Sequence, residues 1–317
     1  MSRISKAGLP ALMLLSIATV YAFPPTTGAQ WWSTDPNLDC SSMNSLVYQV
    51  PLASGGTGFA CGVTGNFIWF AAGGSWRSFI RTAAPASAAI GVEYLFFDEQ
   101  GSRVSVDTDS GAARTSSDTV SLVLNPNQPS ELELLGAGAD APQYGRTQTG
   151  SVFGIFLCPD AATCALLAPQ LLFSYSPLKP WSLSAPIAWD KSFSSLQPSG
   201  LSARWSTAGI NDPTHILSFA IYNQSPRAAT YTIRVYDSNG SVAGEGATPV
   251  IGQAQTRGFL LTDVIRTALP SGILKIAVEG TDLSSVLFLQ FSGDSATSLQ
   301  ATSEALPGGL LRTALPQ

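Results

Sequence analysis

Few residues in this chain have the type and spacing that chemistry needs. Asp98-Glu99-Gln100-Gly101 and Asp237-Ser238-Asn239-Gly240 repeat an Asp-x-x-Gly spacing, and Asp107-Thr108-Asp109 is a further oxygen-rich run. Such carboxylates suit a hard cation such as Ca²⁺. Neither Asp107-Thr108-Asp109 nor Asp237-Ser238-Asn239 ends in the acidic residue that closes a calcium loop. Asp98 and Asp237 therefore read as local caps, and Gly101 and Gly240 as residues free to take φ > 0, which together make hairpin turns. The single His of the chain, His215, lies in Asp212-Pro213-Thr214-His215. A Ser-His-Asp enzyme would need it as its base. No Gly-x-Ser-x-Gly elbow, P-loop or His-x-x-x-His is present.

The N-terminus predicts export. Arg3 and Lys6 precede an uncharged run from Ala7 to Val20, and Val20-Tyr21-Ala22 places small residues where a signal peptidase reads. Residues 1–22 are expected to be a cleaved signal peptide; an uncleaved N-terminal anchor is the alternative. No transmembrane segment is expected after cleavage, and the protein is placed outside the cell, on its surface or in a periplasm. The four cysteines, Cys40, Cys61, Cys158 and Cys164, are then expected in disulfides. Three connectivities are open. Cys40–Cys61 and Cys158–Cys164 are preferred because each pair is nearest in sequence, and the longer loop is worth roughly 3 kcal/mol in the chain-entropy picture. With no Cys-x-x-Cys and one His, zinc is not expected, nor is any other metal or cofactor.

Net charge is −5, and charged residues make up only 12% of the chain. The two basic residues of the signal leave the mature chain more acidic still. Such a chain lacks the electrostatic footprint of a nucleic-acid binder. A hydrophobic fraction of 45% excludes a disordered chain. Trp31, Trp32 and Trp76 are candidates for stacking on a glycan, against the plainer reading that the Trp31-Trp32 pair covers the edge of a neighbouring domain. The 21 acidic residues are also compatible with a glycosidase pair of carboxylates. Asn223-Gln224-Ser225 and Asn239-Gly240-Ser241 are N-glycosylation sequons.

The elements that must position these residues are strands. Phe67-Ile68-Trp69-Phe70 is a continuous apolar run, the pattern of a strand buried on both sides. Val92 to Asp98 alternates, with Val92, Tyr94 and Phe96 on one face. Arg103 to Asp107 is expected to pair back on it. Cys158 to Cys164 suggests one stapled helical turn with Pro159 at its first position, and Leu260 to Leu269 a short helix capped by Thr262. The same order of parts recurs: Ile216 to Asn223 answers Arg77 to Thr82, Thr230 to Asp237 answers Gly91 to Asp98, and Trp205 answers Trp69. The Phe79-to-Phe219 spacing is one residue longer than the Asp98-to-Asp237 spacing. The chain is thus expected to be all-β, with two tandem antiparallel β-sandwich domains. An exposed leader covers 23–39, the first module 40–176, a Pro-rich linker 177–186, the second module 187–298 and a flexible tail 299–317.

Gly74-Ser75-Trp76-Arg77-Ser78-Phe79-Ile80 with Phe97-Asp98-Glu99-Gln100-Gly101, and Leu217 to Asn223 with Tyr236-Asp237-Ser238-Asn239-Gly240, resemble the tandem immunoglobulin-like (fibronectin-III-like) repeats of large exported bacterial proteins. The resemblance covers roughly residues 65–298. It implies a structural, spacer or adhesive role, with other extracellular proteins or polysaccharide as partners and no catalytic residues to transfer. The usual Asn-Pro-Gly connection is replaced by Ala83-Ala84-Pro85 and by Asn223-Gln224-Ser225-Pro226. Two other classes compete: a carbohydrate-binding module pair and a secreted hydrolase. For the hydrolase, Gly293-Asp294-Ser295 is similar to the nucleophile block of GDS-type lipases, but here it follows His215 instead of preceding it.

Overall fold

The computed structural model describes residues 30–41, 46–52, 55–111, 113–137, 146–175, 187–188, 202–281, 283–293 and 295–306. The expected signal peptide at 1–22 and the expected linker at 177–186 lie outside them.

Strands rich in Val, Ile, Phe, Tyr and Thr form four antiparallel sheets, paired as two β-sandwiches. The first contains β1 (Leu46–Pro51), β2 (Thr57–Ala72), β3 (Trp76–Ala83), β4 (Ile90–Asp98), β5 (Val106–Asp109), β6 (Arg114–Ser117), β7 (Thr119–Leu124), β8 (Pro129–Leu134), β9 (Gln148–Cys158), α1 (Ala161–Ala165), β10 (Gln170–Tyr175) and β11 (Ile187–Ala188). Its sheets run β1-β2-β9-β4-β7 and β11-β10-β3-β8-β5-β6. The second contains β12 (Ser202–Asn211), β13 (His215–Asn223), β14 (Thr232–Tyr236), β15 (Val242–Ala247), β16 (Thr256–Leu260), α2 (Leu261–Val264), β17 (Gly272–Thr281), β18 (Ser284–Ser292), β19 (Ser295–Leu299) and β20 (Thr302–Leu306). Its sheets run β20-β12-β17-β14-β15 and β19-β18-β13-β16. Read side by side, β2, β9, β4 and β7 stand where β12, β17, β14 and β15 stand. In the facing sheets, β10, β3 and β8 stand where β18, β13 and β16 do.

A single spacing relates Asp98 to Asp237, Gly101 to Gly240, and the Gly73–Trp76 bridge to the Asp212–His215 bridge. It sets Ile80 against Phe219, both in the cores, and Phe79 against Ser218, both facing outward. The Phe79–Phe219 match read from the sequence is therefore one residue out. The Trp205–Trp69 match also fails. Trp205 faces the second core opposite Val278, whereas Trp69 sits in a bulge where the β2–β9 register slips between Phe67 and Phe70. A bulge re-aims side chains, and this one turns Trp69 toward the second sandwich.

The module boundaries shift as well. Ile187 and Ala188 pair with β10 of the first sandwich instead of opening the second. Thr302–Leu306, expected in a loose tail, pairs with β12 from Ser202 to Ser206. Its Glu304 starts a charge ladder across the outer face of that sheet, Glu304–Arg204–Glu279–Arg234–Glu245. The Glu279 carboxylate raises the Arg204 pKa above its ordinary value. The helix expected from Leu260 to Leu269 is the single turn α2, closed by Asp263 Oδ2 accepting from Leu260 N at 3.3 Å, not by Thr262. Arg103 to Asp107 makes only one bridge, Phe97–Arg103, before the chain crosses to the other sheet as β5. The second copy does form a full hairpin, β14 with β15.

The two sandwiches are packed together. The outer face of β13 and β18, with Ala220, Tyr222, Leu287 and Leu289, is buried in one apolar cluster with Ile68, Trp69 and Ala71 of β2. Trp76 meets Trp69 edge-on at 5.8 Å and Phe291 at 5.5 Å. Thr256 Oγ1 donates to the Ile68 carbonyl at 2.5 Å, and Gln255 Nε2 to the Gln100 carbonyl at 3.3 Å. Arg257 reaches Glu99 at 3.4 Å.

The two Asp-x-x-Gly turns have matching geometry and different surroundings. Asp98 Oδ1 accepts from Gln100 N and Ser102 N, both at 2.9 Å; Asp237 Oδ1 accepts from Asn239 N and Ser241 N at the same distances. Gly101 and Gly240 take φ of 78° and 80°. A Cβ on Gly240 would meet nothing within 4 Å, whereas one on Gly101 would lie 2.7 Å from the Ala254 carbonyl oxygen of the second sandwich. Gly240→Ala is expected to cost about 1 kcal/mol for the left-handed backbone. Gly101→Ala is expected to cost at least about twice that, because its Cβ also strikes backbone. Equilibrium denaturation of the two variants checks this; equal losses would remove the interface from the explanation.

Candidate functional site

Two disulfides close the corner of the first sandwich at the Cys61 and Cys158 positions of β2 and β9. Cys40–Cys61 and Cys158–Cys164 are bonded, with Cα–Cα distances of 5.5 and 5.6 Å. Cys61 and Cys158 are cross-strand partners in β2 and β9, so the bridges lie side by side. α1 begins at Ala161 with Asp160 as its cap: Asp160 Oδ1 accepts from Thr163 N at 2.7 Å. Pro159 thus precedes the cap instead of occupying the first helical position.

The leader docks on this corner. Ser33 N and O exchange hydrogen bonds with Phe59 O and N at 2.7 and 2.8 Å. Trp31 is buried, 4% exposed, in a satellite cluster with Val50, Ala60, Ala89, Ile155 and Leu157. That departs from the exposed leader expected here at Trp31 alone; Gln30, Thr34 to Asn37 and Asp39 are exposed. The physical reason is Gly91: with no side chain there, β4 leaves a slot for the indole, whose Cε3 lies 3.1 Å from where a Cβ would be.

The three candidate stacking residues therefore separate. Trp31 is core, and Trp76 is held at the junction of the sandwiches. Trp32 alone lines a depression, of about 500 Å³, together with Gln30, Ser33, Thr34, Ser87 and Asp160. Four chain segments build it: the leader, the β3–β4 connection, the β7–β8 turn and the loop before α1. The sequence signal for Trp32 was the Trp pair itself. Nothing in sequence order brings Asp160 or Ser87 beside it.

The remaining candidates are structural. Asp98, Gly101, Asp237 and Gly240 make turns, as described above. Asp109 Oδ1 accepts from Gly111 N, and its other oxygen pairs with Arg114, in the β5–β6 turn. Among the described residues no group of three His, Cys, Asp or Glu is placed to hold a metal ion. Gly293 to Ser295 joins β18 to β19, with Asp294 outside the described residues. Asn223 is fully buried, and its Nδ2 bonds the carbonyls of Arg227, Ile251 and Gly252, so this sequon is closed in the folded chain. Burial holds the Glu93 carboxyl above its ordinary value, opposed by Arg103. No helix among the described residues is long and apolar enough to cross a membrane.

His215 Nδ1 lies 2.8 Å from Asp212 Oδ1, closing the two-residue turn between β12 and β13. The Thr214 hydroxyl first, then the His215 ring and the Thr214 amide, hold the Asp212 pKa at about 2. A depressed folded pKa stabilises the fold above the ordinary carboxylate value, and that stabilisation is lost as pH falls through about 2. Asp212→Asn is therefore expected to melt below the parent at neutral pH. The gap should close as pH drops below about 4. Parallel melts over that range check it; a gap independent of pH would contradict the assignment.

No family model matches the chain, and no curated protein matches it. Among solved structures it has a likeness to a lectin from Pleurotus ostreatus in complex with GalNAc. That likeness spans 89% of this chain and 86% of that one, at 10% identity and a TM-score of 0.15, too low to carry an argument.

Proposed function

We propose that this chain is an exported, non-enzymatic adhesion or spacer protein built from two immunoglobulin-like modules. The observation that supports this most is the junction of the sandwiches. Domains on a free linker move relative to each other by default. Here Trp69, Trp76 and Phe291 pack in one cluster, and Thr256, Gln255 and Arg257 add polar contacts across the junction. The result is a stiff body that presents the disulfide corner at one end. About 20 Å of extended strand separates Cys61 from Ile68, so corner and junction lie well apart along β2. Two disulfides are compatible with an extracellular or secreted setting. Other extracellular proteins or polysaccharide are the expected partners.

A carbohydrate-binding module pair would need an aromatic platform on each sandwich. Trp205, the described Trp of the second, is only 8% exposed and packs in its core. Among the described residues Trp205 thus offers no such platform, which supports the adhesion reading over a matched pair of sites.

The mature chain, residues 23–317, is expected to show no turnover on chromogenic ester, peptide and glycoside substrates. Turnover abolished by one Ser or carboxylate substitution would overturn the non-enzymatic reading. Small-angle scattering is expected to fit one rigid elongated particle, with Trp76→Ala broadening the distribution of shapes.

A further inference from the structure

We infer that the depression at the disulfide corner binds a neutral saccharide through Trp32 and Asp160. This rests on the adhesion reading and gives it a ligand class. The depression is shallow and open to solvent, about 500 Å³ over its lining, a form suited to the face or end of a glycan more than to an enclosed ligand. Its walls are pinned before any ligand arrives. The leader is bridged to Phe59, the β7–β8 turn is tied to the β3–β4 connection by Asn127 N donating to the Pro85 carbonyl at 3.3 Å, and Cys158–Cys164 staples the loop that carries Asp160. Pre-set walls reduce the ordering cost of binding.

The chemistry of the lining selects the class. Trp32 is backed by β2: a Cβ on Gly58 would lie 2.9 Å from its Cε3, so the ring rests on bare backbone. The half-buried ring thus leaves an apolar edge at the depression, where the C–H face of a pyranose could rest. Asp160 Oδ1 accepts from Thr163 N and Oδ2 from Thr163 Oγ1, at 2.7 and 3.1 Å. Each carboxylate oxygen keeps a further acceptor position, a match for two neighbouring hydroxyls. Gln30 is oriented by donating from Nε2 to the Trp32 carbonyl at 2.6 Å, and Ser33, Thr34 and Ser87 add hydroxyls. Among the described residues no Lys or Arg lines the depression, so phosphates and acidic sugars meet Asp160 there without a described counter-charge. A lining that is mostly polar is a poor match for an apolar ligand.

The test uses the full mature chain on an array of neutral and acidic oligosaccharides, followed by calorimetric titration of the strongest neutral binder. Trp32→Ala is expected to weaken binding at least about tenfold, and Trp32→Phe to an intermediate degree. Asp160→Asn preserves the helix cap, since Asn caps as well as Asp. It is expected to weaken binding about fivefold with an unchanged melting temperature. If Trp32→Ala fails to fold, the Phe and Asn variants decide. Failure of the parent to bind any neutral glycan, binding of acidic glycans alone, or neutral binding indifferent to Trp32 and Asp160 would each overturn the proposal. If the parent binds no glycan while beads coated with it are still retained on immobilised extracellular protein, the saccharide site falls and the adhesion reading stands.

Discussion

The burial of both faces of β13 and β18 is the constraint on which the architecture depends. One face of each strand packs in the second core through Phe219, Ile221 and Phe288; the other packs on β2 through Ala220, Leu287 and Leu289. A strand dry on both sides cannot alternate polar and apolar residues, which accounts for the continuous runs at 219–222 and 286–289. Left exposed, the outer face would be an apolar patch of the kind that folded proteins cover. The first sandwich supplies that cover with the bulged end of β2, and the fixed relation between the two bodies follows.

A second device recurs through both sandwiches: aromatic rings laid on glycines. Trp31 lies over Gly91, Trp32 over Gly58, Tyr48 over Gly62 and Tyr231 over Gly280. A glycine in a strand weakens it and exposes backbone, and a ring laid over it restores buried contact. Tyr231 and Trp31 bury such contacts inside the sandwiches, while on the outer faces the few charges pair with one another, as in Arg77–Glu133 and the ladder from Glu304 to Glu245.

The all-β class and the order of its parts were legible because strand periodicity and Asp-x-x-Gly turns are local signals. Asp98 and Asp237 cap as their types dictate. What stayed hidden depends on partners distant in sequence. The Trp31-Trp32 pair reads as covering a domain edge or stacking on a glycan, but nothing nearby announces the slot at Gly91 that takes in Trp31. Phe79 and Phe219 align by residue type yet face opposite sides, since one residue of register reverses a strand's faces. Thr302–Leu306 reads as tail because its stability comes from β12, about a hundred residues earlier in the chain. The depression at the corner was only half visible: Trp32 by its type, Asp160 and Ser87 only once the sheets bring them together.

β2 runs from the disulfide corner to the junction, paired with β1 from Thr57 to Gly62 and with β9 from Cys61 to Phe67 and again, past the bulge, from Phe70 to Ala72. Tension applied between those two points would act along the strand, across ladder bonds that lie perpendicular to it. Bonds loaded in this way share the strain and must yield together, whereas a peeled hairpin gives way one pair at a time. Along β2, then, the ladder between corner and junction resists as a unit, a direction of load unlike the peeling of the β14–β15 hairpin.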